Sequence, residues 1–289
     1  MSVSTAEREQ RFLDEHDSVL SEDASRGAEF RRLANLTWTL AITDWKLRFY
    51  GSVLGVLWTL VRPFAFFGVI YFVFTEIAGL DAHVKNYGIY ILFALVMFTF
   101  FGEVTVSSVP ALVYRENLLR KMQFNPIVIP LSITVTALLN LGMTLIAVLV
   151  FVFAHGVWPT VTWLELPVLI ALMAILATGV GMLLSALYVR FRDMLPIWEV
   201  ANQILFYGSS VLYVVTTVPS QYRRYILCNP LAAIFSQMRH AVVDRGAPSI
   251  TALFGGDARV LIPLAVIFGV FALGFWFFQR ESPKVAENL

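Results

Sequence analysis

The stretch RFYGSVLGVLWTLVRP, residues 48–63, joins a basic, aromatic segment to an apolar run that continues to residue 74. A helix of about 20 apolar residues, rising 1.5 Å per residue, matches a hydrocarbon core about 30 Å thick. Arg48, Phe49 and Tyr50 stand where such a helix would leave water and enter lipid. This stretch therefore predicts the first membrane-spanning helix of the chain.

The composition of the chain is that of an integral membrane protein. Of its 289 residues, 58% are hydrophobic and 14% are charged, whereas soluble domains have about 25% charged residues. The formal net charge of +1 gives no reason to expect a nucleic-acid partner. Cys228 is the only cysteine, so the sequence excludes an internal disulfide and a thiolate metal cluster.

Six apolar segments predict an all-α integral membrane fold with six transmembrane helices. Their ranges are 53–74, 87–109, 127–153, 164–189, 197–215 and 260–278. Basic residues concentrate on the side of the N-terminus, at Arg115, Arg120, Lys121, Arg190, Arg192, Arg280 and Lys284. Because Lys and Arg are enriched in cytoplasmic loops, both termini are expected in the cytoplasm. The last outer loop carries arginines against this rule, but late charges orient a chain less strongly than early ones.

The remaining segments flank a transmembrane domain of residues 51–280. Residues 1–27 are polar and predict a cytoplasmic tail that is disordered or loosely helical, and residues 281–289 predict a second cytoplasmic tail. Residues 28–50 carry two apolar stripes at 100° per residue, one rich in leucine and the other in tryptophan. The stripes favour an amphipathic helix at the membrane interface, the alternative being an ordinary packed helix.

The loop of residues 216–259, between spans five and six, has a helical pattern of its own. Pro219 and Pro230 stand where two short helices would begin. One face of the second helix is apolar and carries Leu231, Ile234, Phe235, Met238 and Val242. We expect a re-entrant helical hairpin in the outer half of the membrane, and the polar face of its second helix carries Ser236, Gln237, His240 and Asp244.

The sequence predicts no catalytic site. It has no Gly-x-x-x-x-Gly-Lys-Ser/Thr motif, so the chain lacks that type of phosphate-binding loop for ATP. No carboxylate pair suits a metal-dependent glycosyltransferase, and the 4 histidines are scattered without metal-ligand spacing. We therefore expect neither an enzyme nor a metal or cofactor in this chain.

Two charges fall within predicted spans, where each costs about 2.5–3.5 kcal/mol on insertion scales. Arg62 lies about 13 Å and Glu103 about 9 Å from the cytoplasmic end of its span, at 1.5 Å per residue. A long arginine side chain can cover that difference, so an Arg62–Glu103 ion pair is feasible. Such a pair either holds two helices together or faces a hydrated canal for a hydroxyl-rich chain, and the sequence leaves both possibilities open.

Aromatic residues alternate with hydroxyl and amide groups on the faces near these charges. This alternation suits sugars, which have apolar C–H faces and polar edges, although aromatic residues also pack cores and face lipid. The predicted channel lining is Trp58, Arg62, Phe66, Val69, Phe72, Thr99, Glu103, Asn202, Phe206, Ser209 and Tyr213.

Three motifs between about residues 45 and 250 resemble one family. They are Ser-x-Leu-Gly-x-Leu-Trp from Ser52 with Pro63, Asn-Leu-Leu-x-Lys-x-x-Phe from Asn117 with Pro130-Leu131, and Val218-Pro219-x-x-Tyr222-Arg223 with Asn229-Pro230-Leu231. Together they resemble the ABC-2-type polysaccharide exporters, which are membrane subunits of ATP-driven glycan export systems. The chain departs from the family's usual Phe-Pro by having Phe124-Asn125-Pro126.

The resemblance implies a homodimer joined to two copies of a separate ABC ATPase, which would bind ATP and Mg. It implies a lipid-linked polysaccharide cargo of the galactan, O-antigen or teichoic acid type, exported across the bacterial plasma (inner) membrane. It also implies that the cytoplasmic segment 110–126 is a coupling helix. From the residues alone, this segment could equally be a solvated loop. The predicted coupling residues are Arg115, Glu116, Asn117, Arg120, Lys121 and Arg192.

A channel wide enough for a glycan needs an outer closure, because a resting exporter must not leak ions. The hairpin can supply it, since helices satisfy their own backbone hydrogen bonds at membrane depth. The predicted outer gate comprises Tyr222, Asn229, Pro230, Phe235, Met238 and Arg239. A rigid external cap is the alternative.

Two other functions compete with glycan export. An ABC-2 exporter of a drug or small lipid would share the six spans but has less reason to carry the pattern of residues 229–248. A polyprenyl-linked glycan-processing membrane enzyme would need an acidic cluster near the membrane surface, which the sequence does not show.

Overall fold

The computed structural model describes residues 5–50, 53–77, 79, 84–115, 125–256 and 258–288. Within residues 5–26, 53–54, 56 and 283–288 it describes the helical backbone alone. The regular structure of the described residues is entirely helical, as the sequence predicts.

We number the helices in chain order. They are α1 (Thr5–Phe49), α2 (Val53–Phe72, continued by a π turn, Val73–Ile77), α3 (Tyr87–Ser108), α4 (Ala111–Tyr114), α5 (Val128–Ala154), α6 (Glu165–Arg190), α7 (Met194–Gly208), α8 (Ser220–Leu227), α9 (Pro230–Met238, continued by a π turn, Arg239–Val243), α10 (Ile250–Leu253) and α11 (Leu261–Asn288).

Among the described residues, 5 helical segments are long and apolar enough to cross a membrane. They are Leu57–Ile77, Tyr87–Ser108, Val128–Ala154, Val161–Arg190 and Ala258–Ser282. The span predicted over residues 197–215 is not one of them, because α7 has 15 residues. A helix of that length covers about 22 Å, which is less than the hydrocarbon core of about 30 Å.

The end of α7 has a local and a long-range cause. Gly208, Ser209 and Ser210 are poor helix formers, and Ser210 adopts the left-handed region with φ 55. The hydroxyl group of Tyr90 on α3 donates to the carbonyl oxygen of Ser210, which an unbroken helix would use internally. The chain then continues to residue 215 as a buried, largely irregular segment.

α3 is the central helix of the bundle. In its most apolar stretch 83% of the residues are buried, against 17% for the spans Leu57–Ile77 and Ala258–Ser282. α2, α5 and α6 pack around α3, which has no polar stripe to present to water. A helix that is apolar on all sides is stable only when other elements or lipid surround it.

α6 and α11 pack closely because glycines occupy their crossing. A Cβ atom on Gly179 would lie 2.5 Å from Cα of Phe271, and one on Gly274 would overlap the carbonyl oxygen of Gly179. Small residues at such crossings let helix backbones approach, which favours helix association in lipid.

α1 lies along the bundle with one packed face and one exposed face. Thr37 and Ala41 are buried, and the hydroxyl group of Thr136 on α5 donates to the carbonyl oxygen of Ala41 over 3.2 Å. Trp38 is 55% exposed. The helix is continuous through residue 27, so no break marks the predicted boundary between tail and interface helix.

Two short helices form where the sequence predicts the hairpin. Pro219 precedes α8, and Pro230 opens α9, whose N-terminus is capped by the Asn229 side chain. The five predicted apolar residues of the second helix are all buried. Ser236, on the predicted polar face, is buried too and donates to the carbonyl oxygen of Ala232 over 2.8 Å. α9 is enclosed on nearly every side rather than on one.

Gly274→Ala should destabilise the protein, because the new methyl group would meet backbone rather than a flexible side chain. Overpacking of this kind costs about 1–3 kcal/mol, measurable as a lower melting temperature in detergent. Gly269→Ala on the same helix is the matched control, since no atom of another described element lies within 4 Å of its added methyl group. Equal melting temperatures for the two variants would contradict the close crossing.

Candidate functional site

A cavity of about 860 Å³ lies between α2, α3, α5 and α7, with Arg48 of α1 at its edge. This volume is within the range of ligand sites, about 300–1,000 Å³. Its wall combines aromatic, amide, hydroxyl and charged side chains: Arg48, Trp58, Thr59, Arg62, Phe66, Phe98, Thr99, Glu103, Asn140, Thr144, Asn202, Gln203 and Phe206.

The aromatic part of the wall extends across three helices. The ring centroid of Phe206 on α7 lies 6.1 Å from that of Phe66 on α2 and 5.2 Å from that of Phe98 on α3. Trp58, one turn before Arg62 on α2, is 64% exposed. These rings give the cavity apolar surfaces of the size of a sugar ring.

Two amide oxygens in the wall have unused hydrogen-bonding capacity. Oδ1 of Asn140 and Oδ1 of Asn202 are buried and accept no hydrogen bond from a described residue. Asn202 can lie against α3 because Gly102 has no side chain, and a Cβ atom there would stand 3.1 Å from its Nδ2. Because these oxygens have almost no accessible surface, a ligand with hydroxyl donors would satisfy them only after the amide groups turn toward the cavity.

The carboxylate of Glu103 is paired with Arg48, not with Arg62. Arg48 donates to Oε1 of Glu103, and Nδ2 of Asn140 donates to the same oxygen over 2.7 Å. α1, α3 and α5 therefore meet in one charged network. The Arg62–Glu103 ion pair that helical spacing makes feasible does not form in this structure, because α1 brings the guanidinium group of Arg48 to the carboxylate.

Arg62 lines the cavity without an acidic partner among the described residues. Its side chain is exposed. An arginine within a span costs about 2.5–3.5 kcal/mol on insertion scales. The charge of Arg62 is therefore destabilising unless water or an anion reaches it.

Several predicted lining residues lie elsewhere. Val69 and Phe72 continue the exposed face of α2 beyond the cavity. Ser209 and Tyr213 follow the end of α7 and so do not extend its cavity face. Oγ of Ser209 accepts from Nδ2 of Asn229 over 2.9 Å. The remaining predicted lining residues are in the wall: Trp58, Arg62, Phe66, Thr99, Glu103, Asn202 and Phe206.

Tyrosines of α3 hold the irregular segment after α7. The hydroxyl group of Tyr87 donates to the carbonyl oxygen of Leu212 over 2.6 Å. That of Tyr90 donates to the carbonyl oxygen of Ser210 and, over 3.3 Å, to that of Tyr213. We call these two side chains the tyrosine clamp, because they satisfy carbonyl groups that the broken helix leaves unpaired.

Some of the predicted outer-gate residues lie against this segment: Phe235 and Met238 share a core cluster with Val211 and Leu212. Phe235 and Met238 are fully buried, and Tyr222 is 56% exposed. Arg239 is 8% exposed, and its Nη1 lies 3.4 Å from Oγ1 of Thr216. Asn229 and Pro230 form the start of α9.

The predicted coupling residues are described in part. Arg115 is ion-paired with Asp44 of α1 and donates to Oγ of Ser132 over 3.3 Å. The guanidinium carbon of Arg192 lies 5.3 Å from the ring centroid of Tyr188. The other four, Glu116, Asn117, Arg120 and Lys121, lie outside the described residues.

Sequence reasoning missed Arg48, Asn140 and Gln203 as cavity residues. Asn140 could have been found, because it is a lone amide within an apolar span. Arg48 could not, since its approach to Glu103 depends on how α1 docks against the bundle.

Comparisons with known proteins agree with one another. Residues 35–243 match the family model described as ABC-2 type transporter. An O-antigen export system permease protein of Klebsiella pneumoniae is 28% identical over 197 residues, covering 68% of this chain and 75% of its own length. One from Myxococcus xanthus is 26% identical over 267 residues, covering 90% of this chain and 98% of its own. A polysialic acid transport protein of Escherichia coli is 23% identical over 205 residues, covering 71% and 80%.

Arg48→Gln should lower the melting temperature, and Arg62→Gln should not. The first leaves the Glu103 carboxylate without its cation, whereas the second removes a charge that has no described counter-ion. Because both members of the pair are partly exposed, we expect a loss of about 1 kcal/mol. Adding Glu103→Gln to Arg48→Gln should restore part of the loss. If Arg62→Gln proved the destabilising variant, Arg62 rather than Arg48 would be the partner of Glu103.

Proposed function

Because the chain belongs to the ABC-2 type transporter family, we propose that it is the membrane subunit of an ATP-driven exporter of a lipid-linked polysaccharide. The observation that carries the proposal is the cavity, whose wall combines exposed aromatic faces with amide, hydroxyl and charged side chains. Aromatic rings suit the C–H faces of sugars, and the amide oxygens suit their hydroxyl groups. A small apolar lipid would leave the polar side chains of this wall without hydrogen-bond partners.

A second copy of the chain is proposed to complete the pathway. Exposed apolar side chains follow two of the helices that border the cavity: Leu57, Trp58, Phe66, Val69 and Phe72 on α2, and Ile197, Val200, Ile204 and Tyr207 on α7. Lipid can cover apolar faces, but polar groups between them are costly against hydrocarbon. A homodimer formed through these faces would enclose the polar groups and join two cavities into a canal.

ATP hydrolysis is assigned to a separate ABC ATPase, two copies of which would bind the dimer. The sequence has no phosphate-binding loop of the Gly-x-x-x-x-Gly-Lys-Ser/Thr type. Residues 110–126 are the proposed docking segment, and Arg115 anchors its described part to α1 through Asp44. Movement of the segment would thus reach the helix that also holds Glu103 through Arg48.

We propose that the chain crosses the bacterial inner membrane six times, with both termini in the cytoplasm. α7 together with residues 209–215 would make the fifth of these crossings, in broken form. Irregular backbone is tolerated at membrane depth where protein buries it, and Ser209, Ser210 and Val211 are all 0% exposed. α8 and α9 would then form the re-entrant hairpin on the outer side.

The outer end of the canal is proposed to be closed by residues 209–239, held by the tyrosine clamp. Tyr90→Phe should raise ion leakage from proteoliposomes, because the carbonyl oxygens of Ser210 and Tyr213 lose their donor while the ring stays packed. The lost hydrogen bonds are worth about 1 kcal/mol.

Tyr71→Phe on α2 is the matched control for this leak measurement. Tyr71 is 36% exposed, and its hydroxyl group is hydrogen-bonded to none of the described residues. We expect its leakage to equal that of the parent. Leakage as low in Tyr90→Phe as in Tyr71→Phe would favour a rigid external cap instead of a gate.

Depletion of the protein in its host should make a lipid-linked glycan accumulate on the cytoplasmic face of the membrane, because synthesis would continue without export. Mass spectrometry of extracted lipids identifies the glycan. The parent chain should reverse the accumulation, and a chain with Arg120→Glu and Lys121→Glu should insert but not reverse it. Accumulation of a small lipid or drug, with no glycan, would contradict polysaccharide export.

A further inference from the structure

The cavity wall has one positive charge in excess. Its charged side chains are Arg48, Arg62 and Glu103, and Arg48 and Glu103 neutralise each other. Arg62 pairs with no acidic side chain in the part of the chain that the structure describes. The uncompensated charge of this wall is therefore a guanidinium group within a membrane span.

The other polar groups of the wall do not supply the missing negative charge. Glu103 is engaged by Arg48 and by Asn140, whose Nδ2 lies 2.7 Å from Oε1. Asn202 and Gln203 are neutral amides. A charge at membrane depth is retained where water or a counter-charge reaches it, and the cavity is the route by which an anion could arrive.

The neighbours of Arg62 on α2 narrow the class of anion. Trp58, Arg62 and Phe66 follow one another at four-residue spacing, so they form one stripe on the helix. Trp58 is 64% and Phe66 is 49% exposed. A cation between two exposed aromatic rings suits an anion that is covalently flanked by apolar groups, rather than a small, fully hydrated ion.

We propose that Arg62 is a binding subsite for a phosphate or diphosphate ester. A guanidinium group presents a planar fork of N–H donors that can engage two phosphate oxygens at once. The aromatic rings on either side would contact the groups that the phosphate joins. The subsite rests on the proposed export of a lipid-linked polysaccharide and assigns to Arg62 the junction between the lipid and its glycan.

Binding of a short lipid diphosphate tests the subsite. The full-length chain, in nanodiscs of phosphatidylcholine, is titrated with farnesyl diphosphate, inorganic pyrophosphate and farnesol. Arg62→Gln should weaken farnesyl diphosphate binding about tenfold or more, as loss of a charged hydrogen bond does. Arg62→Lys should retain part of the affinity. Arg224→Gln, which removes an exposed arginine of α8 outside the cavity, should bind like the parent.

The three probes separate the sources of the anion. Tighter binding of farnesyl diphosphate than of pyrophosphate, lost in Arg62→Gln, would support a lipid-borne phosphate ester. Equal binding of both, again lost in Arg62→Gln, would support the anion subsite but assign it to a free anion. Unchanged farnesyl diphosphate affinity in Arg62→Gln, or equal affinity for farnesol, would overturn the proposal. Dissociation of dimers in Arg62→Gln with unchanged binding would overturn it too, since Arg62 would then pair with the other copy.

The binding test can fail separately from the proposed function. If depletion leads to glycan accumulation while Arg62→Gln binds farnesyl diphosphate normally, export stands and the subsite is wrong. If Arg62→Gln loses binding but depletion leads to no glycan accumulation, the anion subsite stands and polysaccharide export is wrong.

Discussion

The structure depends on one constraint, which is that a polar group within a membrane must find a partner inside the protein. Most of this chain satisfies it locally, as where Thr99 donates to the carbonyl oxygen of Leu95 over 2.8 Å. At other places, two of which bear on the candidate site, the partner comes from a distant helix. Arg48 and Asn140 compensate Glu103, and the tyrosine clamp satisfies the carbonyl groups that the broken end of α7 exposes. Buried polar atoms without a partner among the described residues also occur elsewhere, for example in Ser185 and Trp198. The cavity differs from those places because its wall also carries the guanidinium group of Arg62, which has no acidic partner among the described residues, beside the amide side chains of Asn140 and Asn202. This concentration of polar and charged side chains is the physical basis for treating the cavity as a place where a polar cargo binds.

The sequence predicted most helices because their signals are local. Apolar length predicts each long span, and Pro219 and Pro230 mark the starts of α8 and α9. The end of α7 was missed because hydropathy continues through residue 215 while the helix ends at Gly208. The Tyr90 hydroxyl group that binds the Ser210 carbonyl belongs to a residue far away in sequence. Hydropathy along a short stretch of sequence does not reveal such a contact. Ser209 and Ser210 alone are only a weak signal for a helix break.

The residues of the candidate site were also predictable where the signal is local, and not where it depends on distant parts of the chain. Trp58, Arg62 and Phe66 were assigned to one face from helical spacing, and the structure brings them to one wall. Ser209 and Tyr213 were assigned by continuing α7 past its actual end, so they fall outside that wall. The partner of Glu103 required knowledge of where α1 docks. Helical periodicity thus predicts which residues share a face, but the packing of helices decides which charges meet.

The central claim is that polysaccharide passes along the α2 wall of the cavity. It is tested most directly by placing a photo-crosslinking amino acid at position 58 in exporting cells, with position 276 as the control. Trp58 and Trp276 are 64% and 57% exposed, but only Trp58 lines the cavity, and Trp276 is on α11. The account predicts glycan adducts at position 58 while export is active, and none at position 276. Adducts at position 276 alone, or none at position 58 during active export, would contradict it.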